Sequence, residues 1–218
     1  NEIDSNAPVE DMAVRNELVA YIEAGDTKTS LNEISNGIYK PYWSEEDSIG
    51  VMIDGKETPA RYRLSEGAGS SYGVFSGFTK GSSYVAYYPY DEKLYLDGDI
   101  LSVYLPFVQN YAEGSFGGAA YPMIAVSDTE ELDFRNLCSV LKLSITGNET
   151  VESISFKPND ETIKVSGKAE VDIQYYDEPR LVMSPDGLSQ VTLDCGSVEL
   201  NRYEAKDFYI VVPAQEYK

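Results

Sequence analysis

Histidine is absent from this 218-residue chain. That removes the usual general base near neutral pH, the relay of a nucleophilic triad and the commonest zinc ligand. Cysteine is nearly absent: Cys138 and Cys195 are the two, far apart in sequence. They form no CxxC pair, so buried free thiols are the first expectation, with a bridge between them if their strands are neighbours. No apolar run is long enough to cross a bilayer as a helix. GxSxG, HExxH, P-loop and EF-hand patterns are missing. Positive charge is scarce, with 17 Lys and Arg against 37 Asp and Glu, for a formal net charge of −20. A surface that acidic repels phosphate backbones and anionic headgroups, so no nucleic-acid partner is expected.

The residues that remain describe a folded protein. A hydrophobic fraction of 42% is too high for wholesale disorder. The most apolar stretch runs from Leu132 to Phe156, as LDFRNLCSVLKLSI, the turn TGNET and then VESISF. Leu137, Leu141, Leu143 and Ile145 alternate against Cys138, Val140, Lys142 and Ser144, which predicts a strand with one buried face. Phe134, Leu137, Cys138 and Leu141 also have helical spacing, but the alternation of VESISF after a Gly-Asn turn favours two strands joined through Thr146–Thr150 at the centre of the protein.

Around this stretch, short alternating runs recur at about ten-residue spacing with turn residues between them. They are Glu17–Ala24, Ser48–Ile53, Ala60–Leu64, Tyr72–Phe78, the SYVAYYPY run ended by Pro89, Ile100–Leu105 and Tyr121–Val126. Thr162–Ile173, Arg180–Met183, Gln190–Asp194 and Asp207–Val212 follow. The Gly-rich Gln109–Ala120 reads as a surface loop. The class predicted is all-β and sandwich-like, with residues 1–16 a polar tether, 17–146 a first sandwich and 147–218 a second. The second is expected to lack a strand or to continue past Lys218, and a start at Asn1 without Met suggests that a leader was removed or the sequence was trimmed.

Candidate chemistry is sparse. Two carboxylates would suffice for glycoside hydrolysis, but in a chain this acidic any chosen pair carries little information. Asp91, Asp97 and Asp99 in DEKLYLDGD have oxygen ligands suited to calcium, although a turn between strands explains them more simply. Asn148-Glu149-Thr150 matches a glycosylation sequon. Neither a cofactor nor a metal is implied. Tyrosine is the compositional oddity, with 18 residues. Exposed tyrosines or Trp43 can stack on sugar rings or on protein partners, and Tyr42, Tyr84, Tyr87, Tyr88, Tyr90, Tyr175 and Tyr176 are the other candidates. In strands, the same side chains also fill half-buried positions.

Several stretches in order resemble the fimbrillin family, the pilin and adhesin-like subunits of Bacteroidales surface fimbriae. They are Asp26-Thr-Lys-Thr-Ser-Leu, Trp43 with Asp47-Ser-Ile-Gly-Val, Tyr84-Val-Ala-Tyr-Tyr-Pro-Tyr, Leu105-Pro-Phe-Val-Gln-Asn-Tyr and Tyr121-Pro-Met-Ile-Ala. Leu132 to Leu143 and Phe208-Tyr-Ile-Val-Val-Pro-Ala complete the set. The resemblance implies two transthyretin-like, Greek-key β-sandwiches, a non-enzymatic role and export to the cell surface or outer membrane. Membrane attachment would come only through a lipid anchor upstream of Asn1. It also implies assembly with other pilus subunits by β-strand complementation after cleavage at a basic residue. Lys28 takes the matching place and Arg15 is the second choice, with Leu18, Ala20 and Ile22 as the first-strand side chains that fill the groove. Host protein or glycan would be the adhesion target. The alternative is a glycan-binding outer-membrane lipoprotein using Trp43 and Tyr88 as its stacking platform.

Overall fold

The computed structural model of the protein describes residues 15–23 and 42–217. Alternation and turn chemistry set the first strands: β1 (Asn16–Ile22), β2 (Ser48–Ile53), β3 (Ala60–Glu66), β4 (Tyr72–Gly77) and β5 (Tyr84–Tyr88). β6 (Tyr95–Asp97) and β7 (Ile100–Leu105) flank a turn at Gly98, whose φ of 58° suits glycine. β8 (Val108–Ala112) and β9 (Ser115–Phe116) flank another at Gly114, with φ 70°. The remaining strands are β10 (Met123–Ser127), β11 (Glu131–Asn136), β12 (Cys138–Ile145), β13 (Thr150–Phe156), β14 (Gly167–Asp172), β15 (Leu181–Met183), β16 (Val191–Glu199) and β17 (Lys206–Pro213). Helix among the described residues is limited to two 3-10 turns, Gly118–Ala120 and Ile173–Tyr175. The protein is all-β.

Seven strands close on themselves in the order β1-β11-β10-β5-β2-β3-β4, with β4 returning to β1. The N-terminal layer is therefore a closed barrel, which leaves no free edge along its length. Its interior is aromatic. Trp43 makes edge-on contacts with Phe75 at 4.9 Å and with Tyr88 and Phe134 at 5.5 Å each. Glycine makes room for the indole: a Cβ on Gly73 would sit 2.7 Å from Trp43 Cδ1 and 2.8 Å from Leu64 Cδ1.

Among the described residues there are three further sheets. The sheet β15-β14-β7-β6 lays Leu101, Val103, Leu105, Ala169 and Val171 on the barrel's apolar cluster. The pair β12-β17 and the sheet β13-β16-β8-β9 share a second core, centred on Leu193, Cys195, Phe208, Ile210 and Val212. Pairing runs across the boundary expected at residue 147. β7 pairs with β14, β8 with β16 and β12 with β17, so each of these sheets draws strands from both sides.

Several expectations need correction. The two strands within Leu132–Phe156 do not form a hairpin, because β12 pairs with β17 and β13 with β16. Residues 146–149 instead arch from one sheet to another, so that Leu141 and Ile145 meet Ile154 and Phe156 around the second core. The segment also breaks at Leu137. Consecutive residues Leu137 and Cys138 are both buried in the barrel-side cluster as the chain leaves β11, which interrupts the alternating phase. Leu143, expected inside, is 38% exposed on a strand hydrogen-bonded along one side only. The expected loop 109–120 holds β8 and β9, with Gln109 buried. The expected tether reaches one residue too far, since Asn16 is buried and opens β1.

Candidate functional site

β1 is the element on which assembly would act, and its sequence explains its place. Leu18 and Ala20 are fully buried and Ile22 nearly so, while Glu17 and Tyr21 face outward. The strand is antiparallel to β4, with Leu18 opposite Phe75, and parallel to β11, with Ala20 opposite Leu132. Backbone bonds hold both sides, from Val19 N to Glu130 O at 2.8 Å and from Ile22 N to Ser71 O at 2.8 Å. At its start, the Asn16 amide donates to the Tyr62 hydroxyl at 3.1 Å and to Thr79 O at 3.3 Å, and the Tyr62 hydroxyl donates to Thr79 O. Burial raises the Tyr62 phenol above its ordinary range, so it stays a neutral donor.

The two basic residues considered for cleavage stand differently. Lys28 lies outside the described residues. Arg15 is exposed, donates to Ser76 Oγ at 2.8 Å and lies 3.9 Å from the Glu17 carboxylate. It directly precedes β1, so hydrolysis there would leave the strand attached to the chain that follows. Only a cut between β1 and β2 could free it.

Trp43 and Tyr88 are not an exposed stacking platform. They are 1% and 5% exposed, because the barrel closes around them. Their edges form the floor of a recess of about 330 Å³ at the barrel mouth, with Phe116 and Tyr121 stacked 4.8 Å apart among its walls. The Tyr88 hydroxyl lies 2.8 Å from Asp47 Oδ1 and 2.7 Å from Gly118 O, and Asp47 Oδ2 accepts from Ser44 N at 2.7 Å. Burial lifts the Asp47 carboxyl above its usual range, against the pull of the Ser44 N–H and the Tyr88 hydroxyl. Burial, the nearby Asp47 charge and its hydrogen bond hold Tyr88 far above the usual phenol range. A single carboxylate held this way orders a loop and makes no acid–base pair.

The other candidates are accounted for by local structure. Asp91 Oδ1 accepts from Lys93 N, and Asp99 Oδ2 accepts from the Gln174 amide. Among the described residues no group of three or more Cys, Asp or Glu side chains could hold a metal ion. Asn148, in the arch after β12, is exposed and accepts from Arg202 Nε at 3.2 Å. Cys138 and Cys195 are both free and buried, one in each core. Burial raises both thiols, Cys138 most, so neither is a thiolate at neutral pH.

One residue passed over in the sequence joins the layers. The Gln109 amide donates to Val211 O at 2.7 Å and its carbonyl accepts from Val211 N at 2.9 Å. A side chain thus takes the place of a neighbouring strand's peptide beside β17. The available signal was Glu113-Gly114 between Tyr111 and Phe116, a hairpin pattern within the apparent loop. No protein-family model, no curated protein and no solved structure matches the chain.

Proposed function

We propose that this chain is a non-enzymatic cell-surface subunit of a fimbria-like assembly, joined to its neighbours when the first strand leaves after cleavage and a strand of the next subunit fills the groove. The two Greek-key sandwiches, the upstream lipid anchor and the outer-membrane location implied by the fimbrillin resemblance belong to the same proposal. The observation that carries it is the placement of β1. One short N-terminal strand, with alternate apolar side chains buried, is all that separates β4 from β11. Its loss would leave two unpaired backbone ladders and a slot shaped for residues like Leu18, Ala20 and Ile22, the geometry that strand addition requires. The acidic surface would keep subunits apart until then.

The test is limited tryptic digestion that cuts at Lys28, followed by mild warming and separation without denaturant. A ladder of oligomers is expected, suppressed by excess synthetic peptide of sequence NELVAYI. A cut chain that stays monomeric at high concentration would overturn strand complementation between subunits.

A further inference from the structure

A second recess, on the flank of the barrel, has no part in strand complementation. It brings Tyr87, at the end of β5, together with Tyr90 and Asp91, Tyr104 of β7, and Val108 and Asn110 of β8, and the 3-10 turn at 118–120 forms one wall. Its volume is about 280 Å³. That is just below the range of about 300–1,000 Å³ typical for drug-sized ligands, which points to a ligand of a single ring.

The lining has two chemical characters. Tyr104 is 50% exposed and Val108 48% exposed, so apolar surface is open to the solvent. The tyrosine rings are held in place: Arg61 lies 4.9 Å over the Tyr90 ring and Lys93 5.8 Å over that of Tyr104. Polar groups converge beside them. The Asp91 carboxylate is oriented by the Lys93 N–H through Oδ1, which leaves Oδ2 available. Asn110 is exposed. Tyr87 is 2% exposed and lines the recess. A phenol hydroxyl in the wall of a ligand-sized recess can both donate to and accept from a ligand's polar groups.

We propose that this recess binds a neutral sugar, one pyranose ring stacked by its C–H face on Tyr104 and hydrogen-bonded through its hydroxyls to Tyr87, Asp91 and Asn110. A sugar ring is the ligand class that offers one apolar face and a rim of groups that both donate and accept. Anionic ligands are disfavoured by the charge of −20. A proline-rich segment would use the tyrosines but would leave the Tyr87 hydroxyl and the Asp91 carboxylate unmatched. The site stands whether or not β1 leaves.

The experiment is a backbone-amide NMR titration of the full chain with four probes: the methyl glycosides of glucose, galactose and mannose, and N-acetylglucosamine. At least one probe is expected to shift amides at 104–110 and 117–120. Tyr87→Phe keeps the ring and is expected to weaken that probe by about two- to tenfold, the effect of one hydrogen bond. Tyr104→Ala and Asn110→Ala, both at exposed side chains, are expected to weaken it as well, whereas Tyr175→Ala leaves it unchanged. The proposal is overturned if no probe shifts these amides, if Tyr87→Phe and Tyr104→Ala bind as the parent does, or if a proline-rich decapeptide shifts them and no sugar does.

Discussion

Gln109 offers the sharpest test of how the layers are joined. Its carboxamide satisfies both the N–H and the C=O of Val211, and both residues are buried, at 5% and 2% exposure. Truncation to alanine leaves two backbone groups without partners in a place water reaches poorly. Each such orphan costs about 1–3 kcal/mol, so Gln109→Ala should destabilise the fold by about 2–6 kcal/mol. In a chain of this size that corresponds to a drop in thermal midpoint of about 4–24 °C. Gln109→Glu separates hydrogen bonding from packing. The introduced carboxylate can still accept from Val211 N, but it faces Val211 O with no proton to share, whereas the protonated acid can donate there. Its folded-state pKa is therefore raised above the unfolded value. The stability it contributes is present below the unfolded pKa and lost as pH rises through the folded one. Relative to the parent, Gln109→Glu should be least impaired near pH 4 and most impaired at pH 7. Urea melts at both pH values measure this, with the slope checked for constancy. A Gln109→Ala change below about 0.5 kcal/mol, within the range of ordinary surface substitutions, would refute the reasoning, as would a pH-independent deficit for Gln109→Glu.

Gly73→Ala should cost about 1–3 kcal/mol, the usual penalty for overpacking, because the new methyl meets Trp43 and Leu64 below 3 Å. A melt unchanged from the parent would show that the indole can move aside. Asp47→Asn should raise stability at neutral pH. The Asp47 carboxyl is raised, chiefly by burial, so its ionisation works against the fold once pH exceeds its folded-state pKa. The variant's advantage should disappear on acidification below the ordinary aspartate value of about 4. A parent protein more stable than Asp47→Asn at pH 7 would contradict this.

Strand existence was largely legible in the sequence, and strand partnership was not. SIGVMI and ILSVYL begin and end where alternation and the flanking turns place them, as β2 and β7. Alternation gives each segment a face but says nothing about what that face meets. The pairing of β8 with β16 and the separation of β12 from β13 rest on contacts between distant segments. Glycine misled at 109–120, where Gly114 belongs to a tight hairpin turn and Gly117 to the approach of backbone at Asn110 O, 2.7 Å from where a Cβ would stand. The inward side chains Leu18, Ala20 and Ile22 were readable because β1 alternates cleanly. Trp43 and Tyr88 were not, since amphipathic rings suit a barrel interior as well as a ligand platform. Tyr87, Tyr90 and Tyr104 share a recess only through the juxtaposition of β5 with β7 and β8.

The parallel ladder between β1 and β11 also fixes an order of events. A chain made from its N-terminus delivers β1 first, yet Val19 lies opposite Glu131 and Ile22 opposite Phe134. Until those residues have been synthesised, the opening strand can pair with β4 alone, and its other margin stays open to any passing strand. Non-local closure of this kind is slow and leaves the unfinished chain prone to association. Mutual repulsion among acidic nascent chains therefore matters most in the interval before residue 134, when the molecule has a beginning and no seam to close it.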